Sequence, residues 1–170
     1  FTSPPGAGFS GLAGFSYLVN GGAADSAVAT VSINVAAVND DPTSVNDEYT
    51  IDEDTTLEVV APGVLGNDSD PDGDLLSAIL VTEPQHGTLT LNSNGSFSYT
   101  PAANYHGSDS FTYKANDGTA NSNIATVSIT VHAVNDAPVA ANDSYSTAED
   151  TLLTVGAPGV LGNDSDVETS

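Results

Sequence analysis

Asp68, Asp70, Asp72 and Asp74 occupy every second position of residues 65–74, LGNDSDPDGD, with Gly73 where the chain must turn sharply. Carboxylates at alternate positions followed by a glycine, D-x-D-x-D-G, is the spacing that wraps oxygen ligands around calcium. Four anions so close repel one another, and the only basic residue of the chain, Lys114, is distant in sequence. Either full solvation or a hard cation must offset that repulsion. Asp and Gly favour turns without any metal. The alternate spacing, the lack of local cations and a second LGNDSD at residues 161–166, carrying Asp164 and Asp166, favour the ion. The second copy then departs, with Val167, Glu168, Thr169 and Ser170 where the first has Pro71, Asp72, Gly73 and Asp74: either an altered end or a weaker loop.

Further acids recur with the loop. Glu53-Asp54 returns as Glu149-Asp150, and these could add carboxylates from a neighbouring corner or simply form an acidic β-turn. Asn39-Asp40 returns as Asn135-Asp136, and each pair is followed by another acid, Asp47 and Asp143. A joint built this way is either a solubilising linker or a place where one ion bridges two domains. Asn116 and Asp117, in a turn near the end of the preceding domain, are expected donors from the other side of the joint at Asn135.

These motifs sit in a repeat. Leu65 and Leu161 are 96 residues apart, and the same offset aligns AVND at 37–40 with 133–136, APGV at 61–64 with 157–160, and FSY at 15–17 with FTY at 111–113. About half of the overlapping positions are identical, with no gap. A period of this length signals an array of similar units. The expected organisation is the C-terminal part of one repeat at 1–38, a complete repeat at 39–134, and the N-terminal part of another at 135–170. Each partial unit by itself would expose half a core, which is unfavourable. Such a chain reads as a window on a longer array, or as one whose two ends are completed by other copies.

Within the complete repeat the apolar period is two, not 3.6. Short strands are expected at 48–51, 55–60, 75–81, 88–91, 97–99, 110–115 and 124–131, with turns at Gln85-His86-Gly87, Asn94-Gly95 and Asp117-Gly118. Segment 75–81 is apolar on both faces and reads as a central strand, whereas Val127, Ile129 and Val131 alternate toward one core. Seven strands in under a hundred residues fit an all-β fold of tandem Greek-key sandwiches, immunoglobulin- or cadherin-like.

Composition narrows the function. A formal net charge of −22 repels nucleic acid and anionic membranes, and no apolar run is long enough for a membrane span. Phe1 does not open a signal peptide. With no cysteine there is no disulfide framework, thiolate site or cysteine nucleophile. The string Gly6-Ala7-Gly8-Phe9-Ser10-Gly11 spells a dinucleotide fingerprint, but Pro4-Pro5 precedes it and β-pattern follows, so it lacks the strand and helix that motif needs. His86, His106 and His132 find no recurring equivalents, and no serine sits in a nucleophile context, so no enzyme is expected.

Residues 133–166, AVNDAPVAANDSYSTAEDTLLTVGAPGVLGNDSD, and NYHGSDSFTYKANDG at 104–118 resemble the cadherin-like and bacterial immunoglobulin-like tandem repeats, including VCBS-type repeats, of giant secreted adhesins. The resemblance covers the whole chain. It implies β-sandwiches in series, calcium at loops and joints, and export to the cell surface of a bacterium, with roles in adhesion, biofilm or surface fibres. The expected function is a structural spacer rigidified by Ca2+, whose partners are neighbouring repeats or copies of itself in a fibre. The alternatives are a subunit of a self-assembling extracellular filament and a carbohydrate-binding module contacting surface glycans or a host or biofilm matrix.

Overall fold

The computed structural model describes residues 10–167. Phe1, Pro4-Pro5 and the first four letters of the fingerprint string, with Glu168, Thr169 and Ser170, lie outside the described residues.

The described chain is all-β, with two single-turn 3-10 segments. A hairpin comes first: β1 (Gly11–Tyr17) pairs antiparallel with β2 (Ala29–Val35). Seven strands follow: β3 (Asp47–Asp52), β4 (Leu57–Val59), β5 (Ser77–Thr82), β6 (Gly87–Leu91), β7 (Phe97–Pro101), β8 (Gly107–Asn116) and β9 (Ala125–His132). They build a four-stranded sheet, β3-β9-β8-β5, and a three-stranded sheet, β4-β7-β6. The chain passes from one sheet to the other at each connection from β3 to β9 except the β6–β7 and β8–β9 hairpins, and β3 runs parallel to β9 while the other pairs are antiparallel. That is the Greek-key sandwich the turn spacing calls for.

The period-two pattern explains the core. Phe111, Tyr113 and Ala115 of β8, with Ala125, Val127, Ile129 and Val131 of β9, point inward against Phe97 and Tyr99 of β7 and Val64 of the first 3-10 turn. The Phe97 ring meets Phe111 edge-on at 5.4 Å and Tyr49 at 5.2 Å, the geometry that ring quadrupoles favour. Each of these large side chains contributes about 1.5–3 kcal/mol by leaving water. Asn94-Gly95 does turn β6 into β7: Gly95 takes φ +84°, and a Cβ there would strike the Pro62 carbonyl.

One expected strand differs. The segment 75–81 reads as central because it is apolar on both faces, yet β5 begins at Ser77 and, among the described residues, lies at an edge, paired with β8 alone. Leu75 is 92% exposed, and Ile79 and Val81 face solvent while Ala78 and Leu80 pack inward. The sandwich covers only one face of this sheet, so an apolar outer face does not make a strand central.

Alternation of strand direction sorts the connections into two ends of the sandwich. Residues 39–46 and the β4–β5, β6–β7 and β8–β9 connections share the end where β3 begins. The β3–β4, β5–β6 and β7–β8 connections share the end where β9 finishes. The candidate carboxylates divide between these two poles.

Candidate metal centre

At the first pole the β4–β5 connection holds the acidic loop. Carboxylate oxygens of Asp70, Asp72 and Asp74 lie within 4.8 Å of one another. Calcium–oxygen distances of about 2.3–2.6 Å put the ligands of one ion no more than about 5 Å apart, so three carboxylates are already grouped closely enough to share one. The loop is shaped around Asp70: its Oδ1 accepts the backbone N–H groups of Asp72 at 2.8 Å and Asp74 at 3.1 Å. Gly73 takes φ +81°, where glycine is favoured. Asp70 Oδ2 is buried and meets no hydrogen-bond donor among the described residues. An orphaned buried carboxylate oxygen carries a large penalty, and a hard cation among three such groups removes it. The donor set therefore fits calcium.

Asp68, the first acid of the pattern, is held apart from this group. Its Oδ1 accepts the Val45 N–H and its Oδ2 the Ser44 hydroxyl, both at 2.9 Å. The Tyr113 hydroxyl stands 3.1 Å from both oxygens. Asp47 joins this inner cluster, 3.3 Å from Tyr113 through Oδ2 and 3.2 Å from Asn67 Nδ2 through Oδ1. Burial pushes the Asp47 carboxyl up to about 6; the Tyr113 hydrogen bond opposes the shift and the Asp68 charge adds to it.

Residues 39–43, ahead of β3, are tied to the same pole. The Asp40 N–H donates to Asp72 Oδ2 at 2.7 Å, and Asn39 Nδ2 donates to Asp117 Oδ2 at 2.9 Å. Thr43 and Ser69 exchange two backbone hydrogen bonds. The Asp117 carboxyl is held below its usual range by the Ala120 N–H, the Asn39 amide and the Thr119 N–H. Asp117 was expected beside Asn135, but β8 ends at the pole where β3 begins, so it meets Asn39 instead.

Glu53 and Asp54 lie at the opposite pole. Glu53 is buried, accepts the Val134 N–H at 2.7 Å through Oε1, and faces His106 Nδ1 at 3.7 Å through Oε2. Asp54 takes φ +57° and accepts the Asn104 N–H at 3.0 Å. Here the carboxylates bind the end of the repeat rather than joining the Asp70 group.

In the third segment Asp164 Oδ1 accepts the Ala141 N–H at 2.9 Å, matching Asp68 and Val45. Asp143 accepts from Tyr145 at 3.2 Å, and Asn135 Nδ2 donates to the Asp136 carbonyl. Glu149 and Asp150 are exposed, Asp150 at φ +58°. Asp166 follows Asp164 in the second copy of the loop, which the described residues leave at Val167.

With this geometry in place, the profile of the bacterial cadherin-like domain matches residues 39–133, more than half of the chain. The chain belongs to the bacterial cadherin-like domain family. Comparison with curated proteins finds no match. Among solved structures, the endo-fucoidan hydrolase MfFcnA4 of glycoside hydrolase family 107 is similar at 21% identity and TM-score 0.44, over 78% of this chain and 21% of the hydrolase. The related MfFcnA9 is similar at 18% identity and TM-score 0.38, over 72% of this chain and 22% of that one. The chain thus spans about a fifth of the length of these hydrolases.

The cadherin-like domain uses residues that the acid pattern does not reveal. The Ala115 N–H donates to Ser122 Oγ at 2.9 Å, Ser122 Oγ lies 2.8 Å from Ser44 Oγ, and Ser44 donates to Asp68. Asn123 completes the seam, with its amide on the Ser44 carbonyl. The available signal was Tyr113, a tyrosine at a core position whose hydroxyl must find a partner; it lies 2.6 Å from the Val64 carbonyl oxygen, and its single proton serves that oxygen or one of the Asp68 and Asp47 carboxylates. At the other pole, Asp109 is buried and accepts from the N–H groups of Gln85, His86 and Ser110 and from the Tyr99 hydroxyl. Burial alone would raise Asp109, but those four donors hold it below the usual range.

Proposed function

We propose that this cadherin-like chain is a non-catalytic structural spacer of a large bacterial adhesin or surface fibre, stiffened by calcium outside the cell. In this reading 39–134 is one repeat, 1–38 is the rear of the one before, and 135–170 is the front of the next. The carrying observation is that the joint residue Asp40 is bonded to Asp72 of the same loop that groups Asp70, Asp72 and Asp74. Calcium supplies charge neutralisation there, binding at about 10⁻⁴ to 10⁻³ M as extracellular modules do. The chain's own part is to fix Asp70 by the Asp72 and Asp74 amides, and to hold the joint against the loop through Asp40. The partners in this reading are the adjoining repeats of the fibre.

Microcalorimetry with scattering tests it. Millimolar calcium should bind and raise the melting temperature, by about 1.5–2.7 kcal/mol of stability at 10 mM ion, and should lengthen the particle. Identical melting and scattering in EDTA and in calcium would refute the reading.

A second reading rests on exposed apolar faces at both ends. Phe15, Tyr17 and Ile33 are 57%, 49% and 48% exposed, while Tyr145, Leu153 and Leu161 are 46%, 46% and 66% exposed. Their equivalents in the intact repeat pack into the core, so adjoining repeats or other copies in a filament would cover them. Concentration-dependent association in light scattering supports completion between copies, and a monomer at all concentrations counts against it. Glycan binding has less to stand on, because Phe97, Tyr99, Phe111 and Tyr113 are all consumed by the core.

A further inference from the structure

We infer that Asp68, although it opens the D-x-D-x-D-G pattern, is a positioning residue that ties the calcium loop to the sandwich and does not ligate the ion. The inference rests on the calcium reading of Asp70, Asp72 and Asp74.

Both oxygens of Asp68 are already engaged, Oδ1 by the Val45 N–H and Oδ2 by the Ser44 hydroxyl. Both also face the Tyr113 hydroxyl, which arrives from a fully buried ring of β8. Ser44 is in turn within hydrogen-bond distance of Ser122 and of the Ala115 N–H, so Asp68 stands at the end of a polar seam running out of the core sheet. An ion would compete with these partners for the same oxygens, and weakening the bond to the buried Ser44 hydroxyl would offset the gain. Asp70 shows the opposite condition, with a buried oxygen to which no group among the described residues donates. The third segment repeats the tie: Asp164 accepts the Ala141 N–H at the same 2.9 Å. The pattern of alternating acids is thus divided between one anchor and three ligands, and the anchor sets where the ligands stand.

The test compares Asp68→Asn with Asp70→Asn in the full chain, with Ser44→Ala as a milder cut to the same seam. Calcium titrations give affinity and stoichiometry, terbium luminescence lifetimes count waters on the bound ion, and melting in EDTA reads the anchor without metal. Asp68→Asn should melt several degrees lower in EDTA, weaken calcium less than about tenfold, and leave stoichiometry and terbium-bound waters unchanged. Ser44→Ala should follow in the same direction. Asp70→Asn should lose tenfold or more in affinity, gain bound water on terbium, and melt in EDTA no lower than the parent. The inference is overturned if Asp68→Asn adds water to the bound terbium and loses calcium as Asp70→Asn does, or if its melting in EDTA is unchanged. Failure of the parent chain itself to bind calcium would instead remove the underlying reading, and the positioning role with it.

Discussion

The ten residues 61–70 and 157–166 are identical in sequence, and their local structures are the same in different surroundings. Both copies form the 3-10 turn, Gly63–Leu65 and Gly159–Leu161, and both open it with a glycine at positive φ. Thr43 pairs with Ser69 as Val139 pairs with Ser165. Beyond these contacts the two diverge. Val64 is fully buried and Val160 is 59% exposed; Tyr49 lies in β3, whereas Tyr145, its equivalent, belongs to no strand. The shared contacts close over roughly two dozen residues of chain, all present in both copies. Strand β3 needs β9, about eighty residues later, and β4 needs β7; no strand among the described residues pairs with 143–148. Short-range chemistry builds the loop, and long-range pairing builds the sheet around it.

Paired substitutions at equivalent positions sharpen this contrast. Phe111→Ala should cost about 3–5 kcal/mol through the cavity it leaves, and Phe15→Ala, in the open hairpin, less than about 1 kcal/mol, as read by thermal unfolding. Equal losses would mean that the hairpin face is covered in solution. Next in size, Asp70→Asn should remove most of the stabilisation by calcium, about 1.5–2.7 kcal/mol at 10 mM, while Asp166→Asn, in the copy whose continuation departs, should change it little.

Glu53→Ala should cost about 1–2 kcal/mol, because the Val134 N–H loses its partner, and should speed hydrogen exchange at that amide. Glu149→Ala, at the exposed equivalent, should stay within about 0.5 kcal/mol.

The smallest effect depends on pH. Asp47 rises from 3.8 to about 6 on folding, so the folded state holds its proton more tightly than the unfolded chain does. Its stabilising contribution is therefore full below pH 3.8 and lost as pH rises through about 6. In EDTA, Asp47→Asn should melt above the parent at pH 7.5, and the gap should narrow toward pH 4. A gap that widens on acidification would reverse the sign assigned to Asp47.

Legibility followed the range of the interaction. Gly95, Gly73 and Gly118 announce turns by their own residue type, and the alternation through Val127, Ile129 and Val131 announces a buried face. The position of 75–81 in its sheet was not legible, because an apolar outer face looks the same at an edge as at the centre. Nor was the division of labour among Asp68, Asp70, Asp72 and Asp74. All four are the same residue type at even spacing, and the difference lies in Tyr113, Ser44 and Ser122, which sequence distance hides.

The sequence by itself determined the 96-residue period, the β character, the acidity and the grouping of carboxylates, since each is a property of neighbours along the chain. Only the tertiary structure decided which pole each acid occupies, that Asp117 accepts from Asn39, and that Glu53 clamps Val134. Those assignments depend on strand direction and sheet order, which bring together residues about eighty positions apart and leave no local mark in the sequence.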